Sequence, residues 1–458
     1  MTKDMTKGSP LKNILSFALP MTAGSIFQQL YNMVDSIIVG QYVGVKAFSA
    51  VGLLGSVCFL VIGTAIGMCS GFSIPIAQRF GAEDYKGMRK TVFNAAGLAG
   101  AIALVLTLLT VIFARPLLRV MSTPDDLMSY AYSYIIIIFM GIPITIFYNL
   151  LCGILRALGD SRTPLKYLLI SSGLNVGLDL TLIIVFKMGV AGAAVATIAS
   201  QLIAGLLCLR FIIRNLAVLS FEEDEKHFDP ALMKNIFALG MPMAFQFSIT
   251  AVGSIILQTA VNRLGSECVA AMAAGTKIQN FIAQPMETIG VTMATFGGQN
   301  LGARKLDRIH KGTRTALMLT LGYATVITVA VFFFGDLMAQ IFIKKGSEDY
   351  AVILDNIRHF LRSTCVLYPV LSVLFLFRNL LQGLGFSAVT MLAGLIELVC
   401  RFVVAFFFVG RYGFSAAVYA SPVAWLSAAV VVVCLYLFEM RKADRIIKPA
   451  KNACAAAN

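Results

Sequence analysis

The chain has 458 residues, 58% of them hydrophobic and only 13% charged, with 37 Lys and Arg against 23 Asp and Glu for a net charge of +14. Soluble globular chains carry roughly a quarter of their residues as charge, so a water-soluble fold of this size has too little polar surface here. Nor does the positive excess point to nucleic acid, because it gathers in short clusters at the ends of apolar stretches, as membrane topology signals do.

Taken in chain order, apolar stretches long enough to cross a hydrocarbon core of roughly 30 Å fall at 14–40, 47–77, 92–114, 130–154, 164–186, 190–213, 233–261, 268–296, 313–335, 360–382, 387–410 and 416–438. Each is expected to be helical, since the backbone finds no water to bond in lipid. The first is long, contains Asp35 and lacks a small-x-small cleavage site, so it reads as a retained span and not a signal peptide. The expected fold is an all-α integral membrane protein of twelve transmembrane helices in two pseudo-symmetric six-helix bundles. The bundles occupy 1–214 and 233–440, joined by a polar linker at 215–232 that carries Glu222, Glu223, Asp224 and Glu225, and followed by a tail at 441–458.

Assigning Lys and Arg to alternate sides puts about 24 on the side of both termini and the linker and about 10 on the other. That orients the termini to the cytoplasm of a multi-pass plasma membrane protein, with the Arg115 to Asp126 and Lys344 to Asp349 connections outside. Nine cysteines and three histidines are scattered without metal-ligand or CxxC spacing. With no HExxH, GxSxG or Walker motif, no enzyme chemistry, cofactor or ATP-driven pump is indicated.

A shift of 221 to 226 residues superposes the two halves. Pro20-Met21 answers Pro242-Met243, Gln78 to Ala82 answers Gln299 to Ala303, Pro143 answers Pro369, Leu158-Gly159 answers Leu384-Gly385, and Gly189 to Thr197 answers Gly413 to Ser421. An even number of spans per half gives parallel repeats about an axis along the membrane normal.

Ionisable groups at bilayer depth are costly and by default face a cavity or a partner. Gln28, Asn32 and Asp35 lie at i, i+4 and i+7 on one face of the first span, beside Tyr31. Asn175 and Asp179 share a face of the fifth span, and Thr197, with Ser200 and Gln201, supplies oxygens from the sixth. Carboxylate, amide and hydroxyl oxygens suit a small cation or a carboxylate that switches by protonation, while hydrogen bonding between helices is the competing reading. The second half has Leu257 in place of Asp35 and Ser421 in place of Thr197, and around the other two positions an i, i+4 pair, Glu397 and Arg401, that can neutralise itself. Glu287 and Arg378 either pair across helices or line a cavity. Lys277 could face the same cavity. Gly67-x-x-x-Gly71 and Gly173-x-x-x-Gly177 read as close-packing devices and Pro20, Pro75, Pro143 and Pro285 as bends.

Gln28 to Gly40 (Gln-Gln-Leu-Tyr-Asn-Met-Val-Asp-Ser-Ile-Ile-Val-Gly), the Gln-x-x-Gly-Ala at Gln78 and Gln299, and Leu155 to Pro164 together resemble the multidrug and toxic compound extrusion (MATE) family, most like its bacterial MepA-type branch, over residues 10 to 440. The resemblance implies two six-helix bundles around a V-shaped cleft and export of amphipathic, often cationic compounds in exchange for Na⁺ or H⁺. It carries a cation-coupling site, able to take Na⁺, onto Asp35, Asn175, Asp179 and Thr197. Candidates for the substrate cavity are Gln28, Tyr31, Asn32, Glu287 and Arg378. A second acidic site that some relatives build in the other bundle keeps only Glu287 here. The expected partners are small amphipathic molecules and the lipid bilayer, without nucleic acid, and the expected functional unit is a monomer. A flippase for a lipid-linked or polysaccharide precursor is the alternative.

Overall fold

The computed structural model describes residues 3–121, 123–340 and 350–456, and among them every regular element is helical. The Lys344 to Asp349 connection lies outside the described residues. Helix α1 (Pro10–Ile38) runs into a π-helical turn at Val39–Val43 and is followed by α2 (Val45–Gly81) and α3 (Tyr85–Val120). The fourth predicted span is a bent pair, α4 (Asp125–Met140) and α5 (Ile142–Ala157), and the fifth is α6 (Arg162–Leu180), again ending in a π-helical turn, Thr181–Val185. After α7 (Val190–Asn215) come the linker and then α8 (Pro230–Asn262), α9 (Ser266–Gly302) and α10 (Leu306–Gln340). A second bent pair, α11 (Tyr350–Cys365) and α12 (Tyr368–Gly383), precedes α13 (Ser387–Val403), a π-helical turn at Val404–Phe408, and α14 (Val409–Ala456), which kinks at Gly413.

Among the described residues, seven stretches are long and apolar enough to cross a membrane, and nine with the bent pairs. The Ser387–Lys442 stretch holds two predicted spans, α13 and α14. Helices α1 and α9 complete the twelve; their polar residues, Gln28, Asn32 and Asp35 in one and Lys277, Gln279 and Glu287 in the other, lower their apolarity. The spans read as 130–154 and 360–382 bend by 47° and 54°. In each, the break comes just before a proline, Pro143 or Pro369, which sits in the first turn of the following helix, where its missing N–H breaks no hydrogen bond.

The repeat is also written in the backbone. Gly44 and Gly265 have φ of 110° and 108°, Glu83 and Arg304 of 58° and 55°, Gly159 and Gly385 of 80° and 96°, and Gly189 and Gly413 of 59° and 60°. Chain reversals that demand a left-handed residue therefore recur at the offset seen in the sequence. After Gly159, the Asp160 carboxylate caps α6, accepting from the N–H groups of Arg162 and Thr163, both at 3.0 Å, and from the Thr163 hydroxyl at 2.6 Å. The Leu158 to Thr163 run, Leu-Gly-Asp-Ser-Arg-Thr, is thus a turn and a helix cap.

The chain divides into two compact units, one of Met1–Asp4 and Leu19–Ser248, the other of Met5–Ala18 and Ile249–Asn458. In the first, α2 lies against the start of α8. A Cβ on Gly67 would come 2.7 Å from the Met243 carbonyl oxygen, and one on Gly71 would overlap the Gly240 backbone, so these glycines permit the contact. Gly173 and Gly177 face open space instead, and their spacing is not a packing motif here.

The linker is docked on α3. Arg89 donates to both Glu225 carboxylate oxygens at 2.6 Å, Lys86 reaches Asp224 at 2.5 Å, and the buried Asn94 amide bonds the His227 carbonyl (3.1 Å) and the Asp229 N–H (2.8 Å). The hydrogen-bonded Arg89 guanidinium pulls the Glu225 carboxyl down to about 2. In the second unit the lead-in to α1 is held in a comparable way. The buried Met5 donates its N–H to Gln299 Oε1 (2.8 Å), and its carbonyl accepts from Arg308 Nη2 (2.9 Å) and Asn300 Nδ2 (3.3 Å).

Candidate functional site

Asp35 on α1 and Asp179 on α6 are 144 positions apart, yet their side chains meet within hydrogen-bonding reach. Asp179 is fully buried, and Asn175, one turn earlier on the same face of α6, is 1% exposed. Tyr31, one turn before Asp35, and Tyr134 of α4 both lie within electrostatic range of the two carboxyl groups. Thr197 lies half-buried on α7, which packs along α6.

Local structure explains how the acids come together. Ile38, Val39, Ala47, Ile183, Val190 and Ala193 form one buried apolar cluster that ties the end of α1 to α6, α7 and the start of α2. Each acid thus sits about one turn before an apolar anchor and a π-helical turn. Such turns insert a residue into the helical register and re-aim the side chains before them, and they are frequent at functional sites. Two carboxylates this close in a poorly solvated place repel each other, and a proton or a cation between them relieves the repulsion. The two carboxylates, with Asn175 one turn before Asp179 on the same face of α6, are also hard oxygen donors of the kind Na⁺ takes.

Other sequence candidates are placed differently. Gln28 and Asn32 share the face of Asp35 by spacing, but both are exposed, and the Asn32 carbonyl accepts the Ser36 hydroxyl at 2.9 Å. Gln201 is taken up by packing, its amide oxygen accepting from Thr145 at 2.9 Å, and the Ser200 hydroxyl bonds back to the Thr197 carbonyl. Lys277 is exposed.

Glu287 and Arg378 belong to a separate network in the second unit. Arg378 Nη1 lies 3.2 Å from Glu397 Oε1, Arg401 Nη2 lies 3.4 Å from Glu397 Oε2, and Glu287 stands within electrostatic range of Arg378. Glu397 and Arg401 are nearly buried, and Gly253 on α8 leaves room for the Arg401 guanidinium. Two acids and two bases balance here, as buried ion pairs must. The i, i+4 pairing of Glu397 and Arg401 follows the sequence expectation, whereas the bridging of Arg378 to Glu397 was not anticipated. Tyr134 was also missed; it is one of three tyrosines in Tyr130 to Tyr134, and only the packing of α4 selects which one comes within electrostatic range of the acids. Among the described residues, the one acidic trio with metal-like spacing, Glu222, Asp224 and Glu225, is engaged by Arg89 and Lys86.

The MatE family profile matches residues 20–181 and 242–407, one match in each half. The probable multidrug resistance protein YpnP of Bacillus subtilis is 30% identical over 90% of this chain and 89% of its own length. The multidrug export protein MepA of Staphylococcus aureus is 23% identical over 83% of each chain, and the FAD transporter of Shewanella oneidensis is 23% identical over 72% of this chain and 74% of its own. The crystal structure of an outward-facing multidrug resistance MATE family transporter of the MOP superfamily has the same fold, with a TM-score of 0.89 and 22% identity over 97% of this chain and 99% of that one.

Proposed function

Since this chain belongs to the MatE family of membrane transporters, we propose that it is a secondary active efflux antiporter exporting amphipathic, often cationic compounds in exchange for Na⁺ or H⁺. The observation that carries the coupling is the meeting of Asp35 with Asp179, backed by Asn175 and faced by Tyr31 and Tyr134. A coupling ion has to favour one arrangement of the protein over another, because a ligand shifts an equilibrium only through its differential affinity. A cation between the two acids does this. It stabilises the arrangement in which α1 and α6 hold the carboxyl groups together, and its departure leaves two like charges that drive them apart. Pro20, inside α1, marks where that helix bends as the acids separate. Drug affinity then follows the shape of α1, with Tyr31 on the helix that moves. Names among the relatives, multidrug resistance protein and multidrug export protein, support the cargo class.

The deciding experiment is dye efflux from proteoliposomes under separately imposed sodium and proton gradients. Efflux of an ethidium-like cation driven by one gradient and abolished on its collapse is expected; efflux indifferent to both gradients would refute the antiporter. A second reading, transport of an anionic nucleotide-like or lipid-linked cargo, draws on the FAD transporter among the relatives and on Arg378 and Arg401. Both arginines are engaged with Glu397, which weighs toward the first reading.

A further inference from the structure

At the end of the second unit where α10 begins, Asp307, His310, Lys311 and Arg314 line an open cleft of about 470 Å³. Along the same seam lies a groove of about 410 Å³ with wholly apolar walls, formed by Leu321 of α10, Pro369 and Val373 of α12, and Leu426, Val430 and Cys434 of α14. The two are in register. Leu321 follows Arg314 by seven residues, and thus lies on the same face of α10 about 10 Å further along its axis.

Helix α14 runs antiparallel beside it. The Tyr436 hydroxyl meets Thr313 Oγ1 at 3.4 Å, and His310 Nε2 meets Asp444 at 3.4 Å. Arg441 continues the face of Cys434 by seven residues and is exposed, so α14 carries a further positive charge to the polar end. Met318, 76% exposed, and Leu437, 49% exposed, are apolar residues on the stretches between cleft and groove. In the cleft itself Asp444 engages His310, which leaves Asp307 against Lys311 and Arg314, and on α14 Glu439 stands two residues before Arg441.

A cationic mouth continued by an apolar channel matches the two-part chemistry of a membrane lipid. We propose that this seam binds an anionic phospholipid, its phosphate accepting hydrogen bonds from Lys311 and Arg314 and an acyl chain lying in the groove between α10, α12 and α14. Basic clefts between transmembrane helices are suited to such headgroups. A zwitterionic choline lipid would bring its own cation against these bases and lose the preference.

The test uses the full chain in detergent after delipidation, titrated with phosphatidylglycerol, phosphatidylcholine and soluble glycerol 3-phosphate, with bound lipid read by native mass spectrometry. Phosphatidylglycerol should bind at least about tenfold tighter than phosphatidylcholine, given roughly fivefold for each basic group near the headgroup. The pair Lys311→Gln and Arg314→Gln should weaken it about 30-fold, two such factors combined. The charge-keeping pair Lys311→Arg and Arg314→Lys should retain it. Val430→Trp, which fills the groove and leaves the charges alone, should weaken phosphatidylglycerol without changing glycerol 3-phosphate. Equal binding of the two lipids, or unchanged phosphatidylglycerol in the neutralised pair, would overturn the proposal. Glycerol 3-phosphate binding as tightly as the lipid, with no effect of Val430→Trp, would do so too by making this a site for free phosphate. Should the double variant fail to fold, Arg314→Gln and Val430→Trp decide singly.

Discussion

Asp35 and Asp179 are held on separate helices, so replacing either should leave the helices in place and remove only the charge. At matched membrane abundance, Asp35→Asn and Asp179→Asn should each lower gradient-driven efflux at least about tenfold, the loss of roughly 1.4 kcal/mol of coupling. Glu287→Gln should cost less than about threefold, since Arg378 keeps Glu397 as its partner. Transport assays of these three variants in vesicles settle the point: near-normal efflux by both Asp variants, with loss only in Glu287→Gln, moves the coupling to the second unit. Glu225 yields a prediction in pH. Its folded pKa lies below the unfolded value, so its contribution to linker docking is complete above about pH 4.5 and fades as pH falls toward about 2. Protection of the linker from proteolysis should therefore exceed that of Glu225→Gln at pH 7, and the gap should close on acidification through that window. An unchanged gap between pH 6 and pH 3 would mean that Arg89 does not hold the linker through this charge. Residue types and spacing singled out Asp35 and Asp179, which the structure brings together across 144 positions. Gln28 and Asn32 share the face of Asp35 but are exposed, because helical spacing fixes which residues share a face and not how far along it a neighbouring helix extends.

Among the elements, α2 and α8 approach so closely that Gly71 has no room for a side chain. Gly71→Leu should destabilise the protein by about 3 kcal/mol or block its assembly, at the upper end of what overpacking costs. Gly173→Leu and Gly177→Leu should stay within about 0.5 kcal/mol, as open positions do. Thermal unfolding in detergent compares the three, and equal losses would show that the α2–α8 contact is not what constrains Gly71. Both motifs have the same Gly-x-x-x-Gly spacing, and only one faces a neighbouring backbone; sequence supplies the small residues but not the direction they face. The bend at Pro143 was signalled by its proline, and that at Pro369 only through its place as the repeat counterpart of Pro143, whereas the π-helical turns after Asp35, Asp179 and Arg401 were not signalled. Their sequences, Val-Gly-Gln-Tyr-Val at Val39–Val43 and Thr-Leu-Ile-Ile-Val at Thr181–Val185, share no composition that would mark them. The register change comes from tertiary packing, as in the apolar cluster around Ile38 and Ile183.

For the molecule as a whole, the twelve spans were legible because hydrocarbon demands length and apolarity, and the repeat because matched turns demand matched glycines. The division into units was less so: Met5–Ala18 groups with Ile249–Asn458, a pairing that no local pattern encodes. Orientation is an expectation from the Lys and Arg asymmetry, by which both termini and the linker should lie on the cytoplasmic side. Reporter fusions at either end and within 215–230 should report the same side, and a linker on the side opposite to a terminus would break the six-plus-six arrangement. The hold on Met5 has a consequence in time. Its N–H and C=O are satisfied by Gln299 and Arg308, made 294 and 303 residues later. At about 5–20 residues per second, the ribosome delivers those partners roughly 15–60 s after Met5 itself. The second unit therefore closes on its own first residues late, and in a nascent chain halted before Gln299 the Met5 carbonyl has only the local Asn13 amide while its N–H is left to water.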